Sequence, residues 1–175
     1  LGVAAVIGLE SDFDDLMSAV DEDLRGQLIG SLEAAVTADV LLERGRRFAF
    51  KHAIVRRCVL DGLSSIRRSQ LHERVGEAIA GRPGADERVG ELAMHFAAAQ
   101  NQPERAARYA YANALRSLDI AALDDARASL KLANAQLALV TDVDPGLRID
   151  IDLADAYTRR ASTSRPERHG CLRAL

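Results

Sequence analysis

A chain of 175 residues, 48% of them hydrophobic, can fold as one domain or two small ones around a core. Aromatics make up only 4% and the net charge is −3, and the alanine- and leucine-rich composition favours helix over strand. Apolar runs of a few residues exclude a membrane span, no leader or basic presequence is legible, and Cys58 and Cys171 have no metal or redox spacing and read as reduced thiols of a cytoplasmic protein.

The opening "LGVAAVIG" reads as the end of a helix already under way, with Gly8 as its stop. Together with an aperiodic tail, "STSRPERHGCLRAL", it gives the expectation of a piece of something larger. Ser11 or Asp12 then caps a short helix that buries Phe13, Leu16, Met17 and Val20. A third helix starts at acidic residues and repeats Leu24, Leu28, Leu32 and Val36 every four positions. In "VLLERGRRFAF", residues 40–43 and 47–50 flank a turn at Arg44-Gly45-Arg46 and predict a β-hairpin, with Phe48 and Phe50 on one face. Helical period resumes in "HAIVRRCVLDGL", to end at Gly62. A further helix, capped by Ser64 or Ser65, turns Leu71, Val75, Ala78 and Ile79 inward until "GRPGAD" breaks it.

Everything beyond reads as helix pairs. "DERVGELAMHFAAAQ" runs to "NQPE", where Pro103 suits a first helical turn. An antiparallel pair follows, one helix with small residues at Ala107, Ala110 and Ala114, its partner with Ala126, Leu130, Ala133, Leu137 and Val140 in register. "TDVDPG" ends the pair and "LRIDIDLADAYTRR" opens the next. Helix–turn–helix units of this length, with Tyr109 and Tyr111 inside, are what tetratricopeptide-type (TPR-like) repeats look like.

The predicted fold is therefore mainly α. A winged-helix subdomain with a small hairpin spans 1–63 and is truncated at its N-terminus. A connecting helix and linker span 64–84, and a TPR-like segment of antiparallel helix pairs spans 85–175, irregular at its tail.

Charge is distributed in blocks. Residues 1–43 hold ten acids against Arg25 alone, and residues 44–82 hold ten Lys/Arg against three acids. That pattern implies either internal pairing or two charged faces. The expected third helix carries Glu33 and Asp39 and one cation, the wrong sign for a phosphate backbone, which argues against direct DNA binding. Several sites of chemistry are missing from the sequence: no GxxxxGK[ST], no GxGxxG, no Gly-x-Ser-x-Gly, and no second histidine to complete a zinc helix at His72. Neighbouring histidines among His52, His72, His95 and His169 lack ligand spacing. The acid pairs Asp14/Asp15 and Asp124/Asp125 read as helix-start or solvated residues, and His72 as packing or hydrogen bonding to the wing.

Three stretches carry a resemblance: "AAVIGLESDFDDLMSAV", "LLERGRRFAFKHAIVRRCVLDGLSSIRRSQLHERVGEAIA" and "ELAMHFAAAQNQPERAARYAYANALRSL". The chain resembles, over about residues 1–140, the region downstream of the nucleotide-binding core in bacterial STAND-type ATPases. These include regulators of the LuxR/MalT type and multidomain relatives fused to adenylate-cyclase domains. The most specific match is Phe50-Lys51-His52-Ala53-Ile54-Val55-Arg56, followed by Arg67, Arg68, Leu71 and His72.

The resemblance implies a regulatory fragment without catalysis of its own. It packs on an upstream ATPase core in cis, with ATP or ADP bound by that core and no cofactor or metal in this chain. Its helical repeats would meet a protein or small-molecule inducer. It implies that His52 is a nucleotide-phosphate sensor, by likeness to a winged-helix histidine that reaches the bound phosphate; Ala53 stands where that pattern has aspartate. Two other readings remain open: a winged-helix transcription factor that binds DNA directly, and a stand-alone helical scaffold.

Overall fold

The computed structural model describes residues 1–163, and side chains through residue 161. The tail expected to be irregular has its first two residues, Ser162 and Thr163, in the last helix, and the rest of it, with His169 and Cys171, lies outside the described residues.

The described chain is mainly helical with one small antiparallel sheet. Its elements run α1 (Gly2–Ile7), β1 (Glu10–Asp12), α2 (Phe13–Ala19), α3 (Glu22–Thr37), β2 (Leu41–Arg44), β3 (Arg47–Phe50) and α4 (Ala53–Asp61). They continue through α5 (Ser65–Ala80), a 3-10 turn at Ala85–Arg88, α6 (Val89–Ala99), α7 (Pro103–Asp119), α8 (Leu123–Leu137) and α9 (Pro145–Thr163).

Local chemistry sets several of these boundaries. Asp12 caps α2 by accepting from the Asp14 amide at 2.9 Å, and Ser64 caps α5 by accepting from the Arg67 amide at 3.2 Å. Pro103 occupies the first turn of α7, where its missing N–H costs nothing. The hairpin turns on Gly45 and Arg46, with Arg44 opposite Arg47 in register. Gly45 has φ +64, the positive value a two-residue hairpin loop needs at its first position. Gly8 does end α1, but in extended backbone (φ 168) rather than the left-handed geometry of a glycine cap.

The sheet has three strands rather than the two of a hairpin, in the order β1-β3-β2. β1 pairs antiparallel with β3, Ser11 opposite Phe48. Bonds from Phe50 N to Leu9 O and from Phe13 N to Arg46 O, each 2.8 Å, extend the ladder at both ends. Three residues, Glu-Ser-Asp, have no alternation to announce a strand; the long-range partner makes it one.

Three apolar clusters run in series. The first holds Ala4, Ala5, Leu16, Leu32, Leu41, Phe48 and Phe50 around the sheet. The second joins Val6 and Ala19 to Leu71, Val75 and Ile79 of α5 and to Leu92 and Phe96 of α6. The third packs the alanine face of α7 against Leu130, Ala133 and Leu137 of α8 and Leu147 and Ile151 of α9. α5, expected as a connector, thus contributes a face to the middle cluster that sheet unit and helical arm share. Gly76 allows the close approach of α5 and α6, since a Cβ there would lie 3.1 Å from the Phe96 ring.

Candidate functional site

His52 follows β3 and is the N-cap residue of α4. It is exposed, and its side chain makes no capping bond, so the imidazole is not used to close the helix end. Lys51 beside it pairs with Asp39. Arg56 is half-buried, and its Nε donates to the Ala5 carbonyl at 2.8 Å, tying α4 to α1. Arg57 is exposed and donates to Asp61 at 3.3 Å.

The acidic and basic blocks pair with each other. Arg46 bonds Asp14, Arg47 reaches Glu10 at 3.3 Å, and Arg74 reaches Asp21 at 2.5 Å. Arg46 also lies over the Phe13 ring, 5.4 Å from its centroid. Arg46 and Arg47 of the hairpin are therefore folded back onto β1 and α2.

The densest polar constellation sits where the sheet unit meets the helical arm. A cleft of about 600 Å³ opens there, lined by Glu10, Asp12, Asp14 and Asp15 on one wall and by Arg82, Arg88 and Glu91 on the other. Asp15 is its buried member, with 7% of its side chain exposed. It accepts from Arg82, and from Arg88 through both oxygens, at 3.0 and 2.9 Å. A carboxylate this far from water stays charged only if paired and hydrogen-bonded, and two guanidiniums meet that requirement. The expectation that Asp14/Asp15 are helix-start or solvated residues is thus corrected for Asp15. Both do stand in the first turn of α2, but the partners of Asp15 come from residues 67 and 73 positions away.

The polar chain continues along α6. Arg88 also donates to both oxygens of Glu91, each at 2.8 Å. His95, 4% exposed, places Nε2 3.9 Å from Glu91 and Nδ1 3.0 Å from Nδ1 of His72 on α5. The latter contact requires one ring to donate its Nδ1 hydrogen and the other to accept. The His72 partner is thus His95, not the wing, which corrects the expectation. His95 and Arg88 together hold the Glu91 carboxyl down to about 2. Burial, then the charges of His95, Arg68 and Arg56, lower His72 from 6.5 to about 4. At neutral pH His72 is neutral, Glu91 ionised, and the path from Asp15 to His72 a continuous set of contacts from α2 to α5.

His52 lies outside this constellation. The constellation's members Asp15, Arg82, Arg88, Glu91 and His95 have no shared motif; the available signals were two arginines flanking "PGADE" and a histidine on the apolar face of α6. Among the described residues no group of three or more His, Cys, Asp or Glu could hold a metal ion, and no helix is long and apolar enough to cross a membrane. Comparison with protein-family models, with curated proteins and with solved structures finds no match for this chain.

Proposed function

We propose that this chain is a regulatory coupling segment: a winged-helix unit joined rigidly to a TPR-like arm, which relays the nucleotide state of a STAND-type ATPase core. The observation that carries the reading is the joint. A buried carboxylate held by two arginines locks the sheet unit to the arm, and a histidine pair behind it ties α5 to α6, so a push on one unit is felt by the other. The order α1-β1-α2-α3-β2-β3 with strand order β1-β3-β2 supports the winged-helix reading, and the sequential packing of α5 to α9 supports a repeat arm. The resemblance of "FKHAIVR" supplies the ATPase context, a cytoplasmic setting and an inducer for the arm.

In this reading His52 senses phosphate. An exposed imidazole at a helix N-terminus, free of capping duty, can donate to a phosphate oxygen of ADP held by the core. Contact favours the ADP-held form only through differential binding to two states. In a protein that carries both this chain and the core, His52→Ala lowers ADP affinity by about tenfold, the worth of one charge-assisted hydrogen bond. Unchanged ADP affinity and ATPase rate would falsify the sensor role.

The DNA-binding alternative has less support. Arg46 and Arg47 of the wing are already paired, and α3 carries Glu22, Asp23 and Glu33. Such exposed pairs are each worth only about 0–1 kcal/mol, so they yield to a strong polyanion, but they cancel the field that would attract one. Anisotropy of a labelled duplex, titrated with the chain at low salt, stays flat on the coupling reading; a salt-sensitive rise favours the DNA reader.

A further inference from the structure

Helix α3 has an outward face that its own fold does not use. Glu22, Gly26, Ile29 and Glu33 recur at spacings of four, three and four, so they line one side of the helix, with Gly30 beside them. All five are exposed, Ile29 to 55%. The opposite side turns Leu28, Leu32 and Ala35 toward the sheet core.

The two glycines have no internal reason to be there. Both lie inside the helix, where glycine is the poorest former after proline. A Cβ at Gly26 or Gly30 would meet nothing within 4 Å, in contrast to Gly76, whose Cβ would strike Phe96. The carboxylates on this face are also distinct. Elsewhere in residues 1–43, Glu10, Asp14, Asp15, Asp21 and Asp39 are paired with cations, Asp12 is a helix cap, and among the described residues Glu43 on β2 is the other carboxylate without an ion pair. Glu22, Asp23 and Glu33 have no ion-pair partner among the described residues. Ile29 stands between them as an uncovered apolar side chain.

We propose that this face of α3 docks a cationic helix of a partner protein, which crosses close over Gly26 and Gly30, covers Ile29 and pairs with Glu22 and Glu33. Side chains at a helix crossing set how near the axes come, and two glycines one turn apart remove that limit. The charge selects the occupant. A nucleic acid or an anionic membrane surface meets net like charge, and a second copy would set two net-negative faces together, each with Arg25 as its one cation. The inference stands whether or not the chain belongs with an ATPase core.

The probe is a 20-residue helical peptide with an alanine-leucine stripe flanked by lysines, alongside a twin with glutamates in place of the lysines. Calorimetric titration with the chain gives micromolar binding of the lysine peptide, weaker at higher salt, and none of the twin. Gly26→Leu with Gly30→Leu costs the lysine peptide at least tenfold in affinity while charge is unchanged. Because a Cβ there meets nothing within 4 Å and leucine is the better helix former, the variant is expected to keep or raise the melting temperature, so lost binding is not lost folding. Glu22→Lys with Glu33→Lys transfers preference to the glutamate twin. The proposal is overturned if the lysine peptide does not bind, if it binds the leucine variant equally well, or if sedimentation shows the chain pairing with itself through α3.

Discussion

Asp15 is the residue on which the joint turns. Removing its charge leaves Arg82 and Arg88 side by side on one wall of the cleft without the carboxylate they share, and breaking a buried pair by deleting one partner costs about 3 kcal/mol. Asp15→Asn is therefore expected to lower the free energy of unfolding in urea by about that amount, whereas Asp124→Asn, at an exposed carboxylate, moves it by less than about 0.5 kcal/mol. A second residue-scale expectation concerns acid. His72 sits at about 4 in the fold and at its ordinary 6.5 when unfolded. As pH falls below 6.5 the unfolded chain binds this proton and the folded one does not, so stability declines from 6.5 toward 4 and is unaffected above. The groups facing His72 are Arg56 from α4, Arg68 from α5 and His95 from α6, and His95 is itself flanked by Glu91. The His72→Gln variant flattens the difference in urea midpoint between pH 7 and pH 5; an equal slope in both proteins shows that other groups set it.

At the scale of elements, helix starts and inward faces were legible because their causes are local. Ser64, Pro103 and the Leu71/Val75/Ile79 spacing act within a few residues, and those elements form where the pattern places them. Ala126, Leu130, Ala133 and Leu137 likewise face inward as read. β1 was not legible, since its hydrogen bonds come from β3 and nothing in Glu-Ser-Asp demands a strand. The joint was not legible for the same reason at longer range: Asp15 and Arg88 stand 73 positions apart. Tight packing between α5 and α6 is the testable consequence. Phe96 is stacked on Tyr109 at 5.5 Å, covered by Arg105 at 4.1 Å and pressed against Gly76. Phe96→Ala is expected to cost about 3–5 kcal/mol in denaturant unfolding. Gly76→Leu is expected to destabilise by about 1–3 kcal/mol by overfilling the same contact.

Across the whole molecule, the charge blocks neutralise each other through contacts that hold the fold together, and their largest concentration lies between two units rather than on an outer face. α5 contributes to the cluster shared by both units, so neither can be undocked without exposing Leu71, Val75, Ile79 and Phe96. Coupling through a joint requires that the two units open together. Native-state hydrogen exchange on the isolated chain tests this most directly. The account predicts that the slowest amides of α2, α5 and α6 share one free energy of opening equal to that of global unfolding, and that Asp15→Asn lowers all three together. If α6 to α8 instead keep their protection in Asp15→Asn while α2 and the sheet lose theirs, the two units are independent and the chain has no rigid joint through which to relay a signal.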